Sequence, residues 1–205
     1  MSGLNTYLEE AFTYGYKTAA AGTLIEPANI PPIAGKRIMI TAYGASANSA
    51  LSAVNFMIPT SETTFASAAA SGASVMYLSA TCKGIDGGDA AVNDRLCIEG
   101  ATKYLWEECS ALGNSSNKLT IKGGLGAAVV AGAKIWNFGY TEETGMACDL
   151  LASNQVAAGG SADKYIENPD GLIFGKKNYP MKVTMMHTTA AAGLFHFVSG
   201  GYVTC

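Results

Sequence analysis

From residue 35 onward, the apolar residues come in short runs of β-compatible side chains, and clusters of Ala, Gly and Ser separate the runs. Runs of this length with period-two patterning, bounded by small residues, are strands. Residues 36–43 read as a strand, 44–48 as a small-residue loop, and 51–58 as a return strand that Pro59 stops. Further strands are expected at 74–81, 95–98, 118–122, 134–140, 172–174, 181–187 and 194–205; residues 102–109 read either as a strand paired with 95–98 or as a helix. Residues 142–171 are weakly patterned and read as a long loop with one helical turn near 148–151. Two segments echo each other. Residues 36–56 and 182–198 each open a strand with a lysine, pass through small residues and return along an apolar strand, so both read as hairpins. The expectation is a mainly β protein, a β-sandwich or jelly-roll-like domain over residues 35–205.

The first 34 residues read differently. Thr6 and Glu9 have capping-box spacing, and Leu8, Ala11 and Phe12 share one face at helical spacing, so residues 1–22 are expected to form a helix ending at Gly22. Pro27, Pro31 and Pro32 forbid a helix in the next stretch and favour an extended strap. Residues 1–34 are thus expected to form an N-terminal helix and Pro-rich arm, packed on another chain or a partner surface because neither piece buries its apolar face alone.

Charge narrows the function classes. The chain has 13 basic and 16 acidic residues in 205, a net charge of −3, and only 14% of residues are charged against 49% hydrophobic. An ordinary soluble domain carries about 25% charged residues. The near-neutral balance argues against a nucleic-acid binder, which would want a basic face. No apolar run reaches the roughly 18 residues of a membrane span, and the first residues have no signal-peptide pattern. The surface must instead be made of neutral polar and small apolar groups, drawn from 33 Ala, 24 Gly and 15 Ser. Such a surface is poorly protected against association, which points to a subunit of an assembly.

Candidate chemistry is sparse. Cys82, Cys97, Cys109, Cys148 and Cys205 are odd in number and none has CxxC spacing, so they read as buried small hydrophobes, not as a zinc site or a redox motif. Gly124-Leu-Gly126 after a strand resembles a dinucleotide-binding turn, but Val129 stands where the third glycine belongs. The Gly-x-Ser openings at Ser46 and Ser74 are broken by Asn48 and Met76, so no nucleophile elbow forms. His187 and His196 would lie opposite one another in the final hairpin with no acidic residue beside them in sequence, and they read as strand histidines. Asp86, Asp89, Asn93 and Asp94 cluster on a Gly-containing loop that could hold calcium, yet no Glu closes it as in an EF-hand. Trp106, Trp136, Phe138 and Tyr140 could form a sugar-stacking platform, but such aromatics are more often core or interface anchors. In the alternating reading of 134–140, Ile135, Asn137 and Gly139 take the opposite face. No catalytic, cofactor or metal-ligating residue is assigned, and no cofactor is expected.

The hairpin style of residues 36–56 and 182–198 resembles that of bacteriophage virion proteins, above all head-decoration (cement) proteins and small tail components. The resemblance implies a non-enzymatic structural subunit in the virion, assembled in the host cytoplasm. It also implies a homo-oligomer such as a trimer that stabilises a shell through contacts with a major capsid protein, without nucleic acid or membrane as partner. The alternative is a carbohydrate-binding or adhesion module of a tail or cell-surface assembly. It rests on the aromatic strand and the Asp86–Asp94 loop.

Overall fold

A computed structural model describes residues 9–18, 25–47, 52–84, 87–110, 117–139, 149–156, 162–168, 171–187 and 194–204. The strands in chain order are β1 (Glu10–Thr18), β2 (Ile25–Ile30), β3 (Lys36–Ala47), β4 (Ser52–Ile58), β5 (Ser61–Thr64), β6 (Val75–Tyr77), β7 (Arg95–Glu99), β8 (Tyr104–Glu108), β9 (Lys118–Thr120), β10 (Lys134–Asn137), β11 (Asp149–Val156), β12 (Ala162–Glu167), β13 (Ile173–Phe174), β14 (Met181–His187) and β15 (Leu194–Thr204). There is no helix among the described residues. The chain divides into two compact units: residues 1–58 with 150–205, and the intervening residues 59–149.

The first unit holds two sheets, ordered β1-β15-β3-β12 and β11-β4-β14-β2, with β13 added to β3. Counting only the eight longer strands of this unit in chain order, the sheets read 1-8-3-6 and 5-4-7-2. Successive strands swap sheets at every connection except the fourth to the fifth, where residues 59–149 are inserted. That double alternation is the two-Greek-key arrangement of a jelly roll. The sheets face each other across one apolar core. Ile38, Ile40 and Val198 come from the first, and Ala28, Ile30, Phe56, Met181 and Val183 from the second. The Tyr43 and Phe56 rings meet edge to face across it, 5.1 Å apart between centroids.

Four expectations are corrected here. First, the helix expected over 1–22 is a strand wherever it is described: β1 pairs with β15 from Glu10↔Tyr202 to Thr18↔Leu194. Phe12, Tyr14 and Tyr16 alternate with Thr13, Gly15 and Lys17. That is a period of two, and a mid-helix Gly15 would have cost about 1 kcal/mol. Phe12 and Tyr14 pack against the core. Thr6 and Leu8 lie outside the described residues.

Second, the Pro-rich strap is β2, an edge strand of its own chain, with Ala28↔Val183 and Ile30↔Met181 in register. The register slips between Val183 and Met185, so Glu26 and Pro27 oppose Thr184 alone. A bulge on an edge strand is where a residue without an N–H is tolerated. Pro32 is buried, and the Pro31 carbonyl accepts a 2.7 Å hydrogen bond from Tyr202. The boundary expected at residue 34 falls between β2 and β3, which belong to one unit.

Third, the two echoing segments are not hairpins. β3 pairs with β15, and β4 pairs with β14, so each segment crosses from one sheet to the other and the two segments pair with each other. Fourth, residues 142–171 carry β11 and β12 in place of a loop. Both are edge strands, where one free flank relaxes the demand for regular patterning.

Residues 59–149 form their own structure. β5-β10-β7-β8 make one sheet and β6-β9 a second, smaller one. The paired-strand reading of the two segments around Arg95 and Trp106 holds, as Cys97↔Trp106 in the β7–β8 register. A separate core contains Phe65, Met76, Leu96, Ile98, Leu119, Ile121, Leu125, Val129 and Ile135. A unit with its own core is expected to fold by itself. Residues 59–149 expressed alone should give a dispersed amide spectrum and a cooperative melt. A collapsed spectrum would show that this core needs the rest of the chain.

Candidate assembly surface

Two stretches of the inserted unit, 63–82 and 123–133, contain no Lys, Arg, Asp or Glu. The fold lays them side by side. Ala69 and Val129 exchange both backbone hydrogen bonds, at 2.9 and 2.8 Å, and the Gly72 and Phe65 amides donate to Leu125 and Ala133. Phe65, Leu125, Val129 and Ala133 point into the core. Ala69, Ala73 and Ala127 pack against that core from its edge, and other residues between them point out. Ala66, Ala68, Ala70, Ser71, Ala128 and Ala131 are exposed, and Val130 is 57% exposed.

Strand β6 extends this surface by simple alternation: Met76 is buried, while Val75 and Tyr77 are exposed, Tyr77 at 58%. Glycines allow the close approach. An added Cβ on Gly124 would meet the Gly72 backbone at 2.5 Å, and Gly72 itself turns the chain at φ +85°. The two stretches thus give a face of small uncharged side chains from which Val130 stands out, bordered by Tyr77 and its cross-strand neighbour Lys118. Desolvating it costs little polar surface and little side-chain entropy.

This is also where the Gly124-Leu-Gly126 stretch lies. Leu125 is buried and no helix follows, so the loop is a packing seam and offers no helix N-terminus to a pyrophosphate. The other sequence candidates disperse. Ser74 is exposed on this face, whereas Ser46 lies in β3. His187 pairs in register with Ser52, and His196 with Ala45 and Tyr16, in different sheets, so they are not opposite one another in a hairpin.

Of the Asp-rich loop, Asp86 lies outside the described residues. Asp89 pairs with Lys83 at 3.6 Å. Asp94 is buried and accepts hydrogen bonds from Asn137 Nδ2 at 2.7 Å and the Ala91 amide at 3.0 Å. Its carboxylate therefore organises the loop from within. Among the described residues, no three His, Cys, Asp or Glu side chains come together to hold a metal.

The aromatic strand is not a platform. Trp136 and Phe138 are buried, and Trp136 Nε1 donates to Glu62 at 2.8 Å. Trp106 stacks at a tilt on Phe138 with 5.8 Å between centroids. Asn137 and Gly139 are buried as well, so both faces of this strand are covered. Tyr140 lies outside the described residues.

Cys82, Cys97 and Cys109 are buried free thiols, while Cys148 and Cys205 are not among the described residues. Burial pushes the Cys82 thiol up to about 12, despite a hydrogen bond from Ser61 that favours the thiolate; Asp94 reinforces the rise. Burial likewise raises Cys109. Neither is a nucleophile near neutral pH.

Glu108 is the electrostatic hub of the unit, paired with Arg95 at 2.5 Å and with Lys122. Burial pushes its carboxyl up, but the hydrogen bonds and charges of Lys122 and Arg95 outweigh that and hold it below the usual range. A lowered carboxyl stabilises the fold above its unfolded-state pKa of about 4.3, and the contribution disappears as pH falls through the folded-state value. Glu108→Gln is therefore expected to flatten the acid limb of the stability curve below about pH 4.3. An acid limb identical to that of the native protein would contradict this.

No protein family matches the chain, and no curated protein matches its sequence. Comparison with solved structures returns viral capsid proteins. The capsid protein VP17 of bacteriophage P23-77 aligns over 95% of this chain and 98% of its own, at 8% identity and a TM-score of 0.21. The complex of the two major capsid proteins of that phage, VP16 and VP17, aligns at 7% identity over 94% of this chain and 99% of that one, with a TM-score of 0.20. The infectious bursal disease virus (IBDV) particle aligns over 96% of this chain and 40% of its own, at 10% identity and 0.18. Superpositions this loose do not establish a shared fold, and the jelly-roll assignment rests on strand order and register alone.

Proposed function

We propose that this chain is a structural subunit of a virus particle. The observation that carries the reading is the strand order 1-8-3-6 and 5-4-7-2 around a solid apolar core. Jelly rolls of this kind serve as capsid domains, lectin domains and cupins, so the step from fold to role is an analogy that the rest of the chain must support. A cupin reading wants a cluster of metal ligands, and the described residues offer none. The sugar-binding reading loses its platform, since Trp136 and Phe138 are buried. The shell reading gains from the uncharged face of the inserted unit and from the low charge of the whole chain.

In this reading the chain is not an enzyme and acts by contact. The jelly roll is the rigid body, and residues 59–149 present a neutral surface to a neighbouring subunit. The finer assignment is a phage head-decoration subunit that self-associates, for example as a trimer, and seats on a major capsid protein. Electron microscopy of the concentrated purified protein tests the reading. Rings, trimers or closed shells of uniform size are expected. Featureless single subunits at every concentration would contradict it.

A further inference from the structure

In strand β14 the core-facing residues Met181 and Val183 flank Lys182, which therefore lies on the opposite face of its sheet. Lys182 is nevertheless 1% exposed. Its register partner on β2 is Asn29, and its Nζ donates to Asn29 Oδ1 at 2.8 Å. The buried Thr184 next to it on that face turns its hydroxyl to the Met57 sulfur at 3.5 Å. A buried primary amine is thus held against the half-buried carboxamide of its cross-strand neighbour.

We propose that Lys182 and Asn29 join in an intramolecular isopeptide bond. The Nζ lone pair attacks Asn29 Cγ, the Cγ–Nδ2 bond breaks, and a proton passes from Nζ to the departing nitrogen, which leaves as ammonia. One C–N bond replaces another, so no oxidant, reductant or co-reactant is needed. Attack requires the amine in its neutral form. Fixing the two groups on paired strands replaces a bimolecular encounter with a positioned one.

The link would have a structural use. β2 is an edge strand whose ladder is broken by the bulge at Pro27. A covalent tie to β14 would hold that edge in place and close a loop between residues 153 positions apart. Such a closure restricts the unfolded chain as a disulfide does.

Intact-mass spectrometry of the full-length folded protein tests the proposal independently of any assembly. The mass should fall below the sequence value by one ammonia. After trypsin, residues 18–36 should appear joined to residues 178–205, because acylated Lys182 is no longer cleaved and no later Lys or Arg follows it. Lys182→Arg should restore the full mass and abolish the branched peptide. A native protein with the full sequence mass, cleaved by trypsin after Lys182, would overturn the proposal whether or not the variant folds.

Discussion

Replacing Trp136 with Ala should lower the stability of the inserted unit by roughly 3–5 kcal/mol, the usual cost of truncating a large buried aromatic. Trp136 is 1% exposed and among the largest fully buried side chains of the chain. Its ring lies 6.2 Å from that of Tyr104, at a tilt, and its Nε1–H is bonded to Glu62. Trp136→Phe keeps most of the ring volume and removes the N–H donor, so it should cost clearly less. Glu62 still has Lys134 at 2.8 Å in that variant. Urea midpoints of the two variants check the order. A loss below about 1 kcal/mol for Trp136→Ala would mean that the ring is not packed as described.

The second large effect is expected at Gly200. The β3–β15 register slips between Ser199 and Gly200, and there the two backbones close in. A Cβ on Gly200 would lie 2.2 Å from the Met39 carbonyl oxygen and 3.0 Å from the Phe12 ring. The nearest obstacle is backbone in the centre of a sheet, so no side chain can swing away to make room. Gly200→Ala should cost about 1–3 kcal/mol from overpacking, and Gly200→Val more. Gly15 supplies the control, because a Cβ there meets nothing within 4 Å. Gly15→Ala should stay within about 0.5 kcal/mol of the native protein. Equal effects at the two positions would contradict the register.

The β content and most of the individual strands were legible in the sequence, because alternation and small-residue boundaries are local signals. The connectivity was not. Residues 36–56 look like a hairpin, since two strands flank a short loop of small residues, yet β3 and β4 pair with β15 and β14. Nothing local distinguishes a strand that returns beside its predecessor from one that crosses to the facing sheet. The choice is made by partners about 150 residues away in sequence. The N-terminus shows a different failure. Capping-box spacing at Thr6 and Glu9 competed with the alternation of Phe12, Tyr14 and Tyr16, and the tertiary pairing of β1 with β15 decided it. Pro27 argued correctly against a helix, but it could equally belong to a free strap or to a bulged edge strand.

The surface was half legible. The runs without charge, 63–82 and 123–133, are plain in the sequence, but only the fold shows that they form one face. The aromatic strand left platform, core and interface readings open for the same reason. Alternation placed Trp136 and Phe138 on one side, and only the packing reveals that both sides of the strand are covered.

The proposed role requires that the chain self-associate through neutral surfaces. Exposed ion pairs contribute only about 0–1 kcal/mol each, and residues 63–82 and 123–133 carry no charge with which to form one. Apolar burial, at about 25 cal/mol per Å², is the larger available term. Sedimentation velocity at about 0.1 and 1 M salt separates the two, because the Debye length shrinks from about 10 to 3 Å over that range. An oligomer at low salt that persists or strengthens at 1 M is expected. A monomer at both, or an oligomer that dissociates at 1 M salt, would contradict the proposed role.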